Sequence, residues 1–188
     1  VFLTSGLGAM GYGLPAAIGA CFANGRKPMV AVESDGSLQL NIQELATLRG
    51  FNLPICLVVM NNGGYASIRN TQRNYFESRY VGTGPEAGLW MPDLQEVARA
   101  YQLPFMRIDD AAELAKGLRE AMLQPRPMIV EVMLMNDEAL SPKVAAIPKA
   151  DGSMTSMPLE DMSPLLPLEV LEAEMDGRLT QVSRQVVR

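Results

Sequence analysis

Two apolar runs, residues 29–33 and 55–60, each stop at a polar cluster rich in glycine. Asp35-Gly36-Ser37 follows the first and Asn61-Asn62-Gly63-Gly64 the second. Asp35 and Asn62 stand 27 positions apart, the length of one strand–helix–strand passage. Such a passage returns the chain to the same edge of a parallel sheet. A carboxylate, an amide oxygen and bare backbone therefore meet at the carboxyl ends of two neighbouring strands, where open α/β sheets bind ligands. Oxygen ligands and free N–H groups at one edge suit a hard cation that also holds a phosphate.

The rest of the chain extends this frame. Residues 1–4 read as the end of a strand, followed by the turn Gly6-Leu7-Gly8-Ala9-Met10-Gly11. Residues 12–24 read as a small-residue helix stopped by Gly25, with Pro15 in its first turn. Residues 41–49 form a helix with Ile42, Leu45 and Ala46 inward. Residues 63–91 show no clear period and read as a long loop with one helical turn at most, which in a compact domain points to function or mobility. A helix then starts at Pro92, with Leu94, Val97, Ala98 and Tyr101 on one face. Next come a strand at 105–108, a helix begun by Asp110 and Glu113 with Leu114, Leu118 and Met122 inward, and a buried strand at 128–133. The alternation predicts an α/β fold: three layers, a mostly parallel sheet with helices on both faces.

Two domains follow, residues 1–140 and a Pro/Met-rich tail at 141–188. The tail carries prolines 142, 148, 158, 164 and 167 and methionines 154, 157 and 162. It holds a short helix near 168–175, and residues 176–188 read as frayed.

Composition excludes several functions. No histidine is present, so a His base or His metal site cannot come from this chain. Net charge is −5 without a basic block, which argues against nucleic acid. No apolar run approaches the roughly 20 residues of a membrane span. Cys21 and Cys56, both in apolar segments, read as buried reduced thiols of a cytoplasmic protein. A start on Val1 in mid-strand reads as a piece of a longer protein.

Gly6-x-Gly8-x-x-Gly11 also matches a dinucleotide fingerprint, with Glu33 and Asp35 as ribose-binding acids. That reading predicts an NAD- or FAD-binding oxidoreductase domain. It leaves the Asn61–Gly64 edge unexplained, and it requires Asp35 to face a ribose although the residue leads straight into Gly36-Ser37.

Asp35-Gly36-Ser37 followed by Asn62 resembles the thiamine-diphosphate motif. The stretch from Gly6 through Pro15 to Ala20, the run Asn41-Ile42-Gln43-Glu44-Leu45, and Pro158-Leu159-Glu160-Asp161-Met162-Ser163-Pro164 are similar to the acetolactate synthase large subunit. The resemblance covers roughly residues 1–175 and implies the C-terminal, diphosphate-binding domain of three.

It implies Mg²⁺ held by Asp35, the Asn62 side chain and the Gly64 carbonyl. Gly36, Ser37 and Tyr65 would line the diphosphate. Gly8, Ala9 and Met10 would hold the pyrimidine end, with the Met10 side chain wedged beneath the cofactor. The implied reaction decarboxylates a 2-oxo acid, pyruvate first among them, and ligates the acyl unit to a second carbonyl. The activating Glu belongs to an N-terminal domain, so no catalytic side chain falls in this chain and the chain alone is expected to be inactive. A middle domain leaves room for FAD. A homodimer or homotetramer is implied, and a non-catalytic relative is the remaining alternative.

The match is not complete. Where acetolactate synthases carry Gln-Gly-Met-Val and then Trp, this chain runs from Tyr65 to Gln72 with Thr71 at the Trp position, and Ser34 replaces the usual Gly before Asp35. Thr71 implies a wider second-substrate pocket. The run resembles acetolactate-synthase-like enzymes of sugar-modifying pathways. Arg69, Arg73 and Arg79 read either as solvated charges or as partners of an acidic substrate.

Overall fold

The computed structural model describes residues 1–3, 7–124, 127–136, 141–148 and 153–186. The chain divides into two compact units, Val1–Asp137 and Glu138–Arg188.

The first unit is built on four parallel strands. These are β1 (Met29–Ser34), β2 (Ile55–Asn61), β3 (Phe105–Ile108) and β4 (Met128–Met133), in the order β1-β2-β4-β3. Helices surround them: α1 (Gly13–Ala23), α2 (Asp35–Leu38), α3 (Glu44–Gly50), α4 (Ala66–Tyr75), α5 (Leu94–Ala100) and α6 (Leu114–Leu123). The α/β class and the parallel sheet are those expected. The strand expected at 1–4 does not form over residues 1–3, which lie exposed outside the sheet; residue 4 falls outside the described residues.

Alternation along β2 explains the layers. Ile55, Leu57 and Val59 point to one face and join Ala31, Ile129 and apolar residues of α1, α3 and α5 in one core. Cys56 and Val58 point to the other face and join Met128, Val130, Val132, Ile108 and the α6 residues Leu114, Leu118 and Ala121. β2 is buried from Ile55 to Val59 and is apolar from Ile55 to Met60, as a strand covered on both faces tends to be, and it ends on the polar Asn61. Each fully buried Leu or Ile here contributes about 1.5–3 kcal/mol relative to exposure. Both cysteines are buried, and among the described residues neither is in a disulfide.

Details of the helix faces differ from the sequence reading. In α3 the inward pair is Leu45 and Leu48, and Ala46 is exposed. In α6 it is Ala121 that is buried, while Met122 is exposed. The residues before α3 form a separate 3₁₀ turn, Gln39–Asn41, so the helix expected from residue 41 begins at Glu44. Asp93 caps α5 by accepting from Gln95 N–H at 2.7 Å. Asp110 accepts from Ala112 N–H at 2.8 Å, but Glu113 reaches forward to Lys116, so no reciprocal capping box closes.

The largest departure lies in 63–91, which holds the ten-residue α4 and a 3₁₀ turn, Pro85–Ala87. The buried residue of α4 is Arg69. A helix whose inward face is polar shows no apolar period.

In the second unit, β5 (Ala146–Pro148) and β6 (Met154–Ser156) form an antiparallel pair. Two helices follow, α7 (Leu168–Glu174) and α8 (Gln181–Gln185). The last of these forms where fraying was expected. Thr180 caps it through Ser183 N–H, and Arg184 pairs with Glu172. Among the described residues no helix is long and apolar enough to cross a membrane.

Candidate functional site

Strand register brings the two polar clusters together. Ser34, the last residue of β1, pairs with Met60 of β2, so Asp35 leaves the sheet beside Asn61 and Asn62. Asp35 is buried at the first position of α2. Its Oδ1 accepts from Asn62 N–H at 3.3 Å and its Oδ2 from Gly64 N–H at 2.6 Å. Burial pushes its carboxyl above the ordinary value, and the N–H groups of Gly64, Asn62 and Gly36 pull it back down.

Buried backbone carbonyls find partners, and most of those in this loop do. Asn61 O accepts from Leu134 N–H at 2.8 Å. Asn62 O and Gly63 O accept from the Arg69 guanidinium at 2.6 and 3.1 Å. Tyr65 O accepts from Arg69 N–H at 2.9 Å. Gly64 O takes none of the described hydrogen bonds. The Asn62 side-chain Oδ1 is likewise buried, with no partner among the described residues. Asp35 and these two oxygens thus belong to one short loop and the strand end beside it.

Bare backbone makes the closeness possible. A Cβ on Gly36 would stand 2.7 Å from Gly64 O and 2.7 Å from Cδ1 of the Tyr65 ring. A Cβ on Gly64, whose φ is +122°, would stand 2.7 Å from Thr83 O. Thr83 O itself accepts from Tyr65 N–H and from Arg69.

The glycine-rich turn meets the same edge through Gly11. Its N–H donates to Ser37 Oγ at 2.7 Å, and its carbonyl accepts from Asn41 Nδ2 at 2.6 Å. Gly8, Ala9 and Met10 precede it as an exposed stretch, and no described hydrogen bond ties them to Asp35 or the Asn62–Tyr65 loop. The start of α1, where a dinucleotide's pyrophosphate would rest, is taken by an anion of the protein itself. Glu33 Oε2 accepts from Leu14 N–H at 3.3 Å and crowds the position of a Gly13 Cβ. A second anion there meets repulsion, which disfavours the dinucleotide reading.

Two buried charges escaped the sequence reading. Arg69 is neither solvated nor aimed at a substrate; it holds four backbone carbonyls, those of Asn62, Gly63, Thr83 and Asn136. Glu131 is 1% exposed in the middle of β4. Its Oε1 accepts from Asn61 Nδ2 at 2.7 Å and its Oε2 from Arg107 Nε at 2.5 Å, while Asn61 Oδ1 accepts from Gly63 N–H at 3.0 Å. That carboxylate keeps Arg107 firmly charged, its pKa raised above the ordinary value. The signal was present in the sequence: an acid inside an apolar strand needs donors or a cation to face it. Arg73 donates to Asn70 Oδ1 along α4, and Thr71 is exposed, its hydroxyl donating to Ser67 O.

A parallel sheet whose strand ends carry Asp35 and the Asn61–Gly64 loop defines a class. The chain matches the family "Thiamine pyrophosphate enzyme, C-terminal TPP binding domain" over residues 1–132, and it belongs to that family. Among curated relatives it is 34% identical over 142 residues to the acetolactate synthase large subunit of Porphyra purpurea, covering 76% of this chain and 24% of that protein. It is 33% identical over 155 residues to the acetolactate synthase large subunit of Parasynechococcus marenigrum (strain WH8102), covering 82% and 25%. With acetolactate synthase 3, chloroplastic, of Brassica napus, identity is 32% over 145 residues, covering 75% and 22%. The chain spans about a quarter of the length of these relatives.

Proposed function

We propose that this chain supplies the diphosphate-and-cation end of a thiamine-diphosphate- and Mg²⁺-dependent enzyme. That enzyme decarboxylates a 2-oxo acid, pyruvate being the first candidate, and joins the acyl unit to a second carbonyl compound. One observation carries the reading: a buried carboxylate, Asp35, bonded to the loop that holds two oxygens without partners among the described residues, Asn62 Oδ1 and Gly64 O. Mg²⁺ asks for oxygen ligands and leaves several positions to phosphate and water. One anionic and two neutral oxygens match that demand, and the cation would relieve the isolation of each.

Each residue then has a part. Asp35, Asn62 and Gly64 hold the cation. Gly36 and Ser37 offer N–H groups from the first turn of α2 and, with the Tyr65 ring alongside, border the diphosphate. Gly8, Ala9 and Met10 meet the pyrimidine end. When bound, thiamine diphosphate supplies the carbanion chemistry, and the protein binds, orients and excludes water. The activating carboxylate comes from outside these residues, in the manner of a shared site between subunits of a homo-oligomer. Thr71 in place of a bulky aromatic leaves a roomier acceptor pocket, which favours a larger carbonyl acceptor than pyruvate.

Calorimetric titration of the full protein with thiamine diphosphate, with and without Mg²⁺, tests this. Binding that needs Mg²⁺ and vanishes in Asp35→Ala is the expected result. Metal-independent binding of NAD⁺, with no response to thiamine diphosphate, would overturn it.

A further inference from the structure

The four carbonyls on Arg69 belong to three separate segments: the ligand loop at Asn62 and Gly63, the 81–84 loop at Thr83, and the chain just after β4 at Asn136. The side chain is 3% exposed. A guanidinium offers five donors in a rigid fork, so one group can fix several oxygens at once. Gln72, one helical turn along α4, clips the same 81–84 loop, accepting from Thr83 Oγ1 at 3.1 Å and donating to Val81 O at 3.3 Å.

We propose that Arg69 is a positioning residue for the ligand loop. By holding Asn62 O and Gly63 O it turns these two carbonyls away from the site. The next carbonyl, Gly64 O, and the Asn62 side chain are left as the free oxygens beside Asp35. By holding Thr83 O it also sets the wall against which Gly64 rests, 2.7 Å from where a Cβ would stand. The inference rests on the cation site proposed above and adds that the loop is set before the cation arrives. Residues one layer behind a metal site commonly tune affinity by about 10–100-fold.

The test compares wild type, Asp35→Asn, Arg69→Met and Arg69→Lys in the full protein, at a temperature well below each variant's melting point. Mg²⁺ affinity is read by calorimetry in the presence of thiamine diphosphate, and Mn²⁺ binding by electron paramagnetic resonance. At least a tenfold loss in folded Arg69→Met is expected. A similar loss is expected in Arg69→Lys, because a point charge does not reproduce the fork. Wild-type affinity in either folded Arg69 variant overturns the proposal while leaving the cation site intact, provided Asp35→Asn has lost binding. No cation binding in wild type overturns both readings.

Should neither variant fold, hydrogen exchange of metal-free wild type decides. Arg69 Nη–H protons slowed against exchange, together with protected Asn62 and Gly64 N–H groups, support the proposal. Free exchange that stops only on adding Mg²⁺ and thiamine diphosphate overturns it, since the ligands would then be ordering the loop.

Discussion

Gly64 donates its N–H to Asp35 Oδ2 at 2.6 Å, across 29 residues of chain. The bond holds the end of β1 against the loop after β2, and it fixes the one carboxylate of the proposed cation site. Asp35→Asn keeps the shape and an acceptor but removes the charge. The variant gives up a charge-assisted bond of about 1.5–3 kcal/mol, offset by relief of a carboxylate that burial already disfavours. The new amide NH₂ also faces one of the two N–H donors, so metal-free stability is expected to fall by about 1–3 kcal/mol. In wild type, Mg²⁺ and thiamine diphosphate at a hundredfold excess over Kd should stabilise by about 2.7 kcal/mol. In the variant that increment should disappear. Paired thermal melts with and without ligands measure both quantities.

Glycine 64 is constrained twice, by its φ of +122° and by Thr83 O. Gly82 shares only the first kind of constraint, with φ +63° and nothing within 4 Å of its Cβ position. Gly82→Ala should cost about 1–2 kcal/mol of backbone strain. Gly64→Ala should cost a further 1–3 kcal/mol or so, because a backbone oxygen cannot swing aside as a side chain does. Urea denaturation of the two variants gives the difference directly. Equal costs would mean that the Thr83 wall yields freely.

The sheet and the Asp35–Asn62 pair were legible because they depend on order alone: apolar runs, a helix between them, and polar punctuation at the strand ends. Local chemistry put a helix start at Pro92; the structure begins α5 two residues later, at Leu94, with Asp93 as its cap. What stayed hidden was helix α4, since its buried face carries Arg69 and Gln72, and periodicity reads only apolar burial. Arg69 finds its partners at Thr83 and Asn136, 14 and 67 positions away, and no local pattern announces such bonds. Glu131 was a different kind of miss. It stood in plain view inside a strand read as buried, and a buried carboxylate calls for hydrogen-bond donors or a cation, here Asn61 and Arg107.

Glu131 joins the site to the sheet through Asn61, and Asn61 in turn holds Gly63. Glu131→Gln retains a bond to Asn61 but leaves Arg107 without its buried counter-ion. Breaking a fully buried pair costs about 3–5 kcal/mol. Arg107 is 37% exposed and can turn to water and to Asp93, so a cost below that range, about 2 kcal/mol, is expected. A second outcome follows from Asn61: weakened Mg²⁺ affinity in the folded variant, by about tenfold. Chemical denaturation reads the first effect and cation titration the second. A stability loss with unchanged affinity would confine Glu131 to the sheet.

Acid sensitivity should trace in part to Asp93. Its carboxyl is held below the ordinary 3.8, chiefly by the Gln95 N–H it accepts from and secondarily by the Arg107 charge. A carboxyl lowered in the folded state contributes stability that is complete above the unfolded value. The contribution is lost as pH falls through the folded one. The window therefore lies below about pH 4. The side chain is 52% exposed, so solvent weakens its charge pairing with Arg107 and the capping bond is the larger part. Asp93→Asn preserves a good N-cap while removing the titration. Stability of the variant at pH 7 should be near wild type, and its decline below pH 4 shallower. Asp93→Ala should lose about 1 kcal/mol at pH 7 as well, because the cap itself is gone. Urea midpoints for the three proteins from pH 7 to pH 3 separate the two contributions. Parallel acid limbs for wild type and Asp93→Asn would place the sensitivity on other carboxylates.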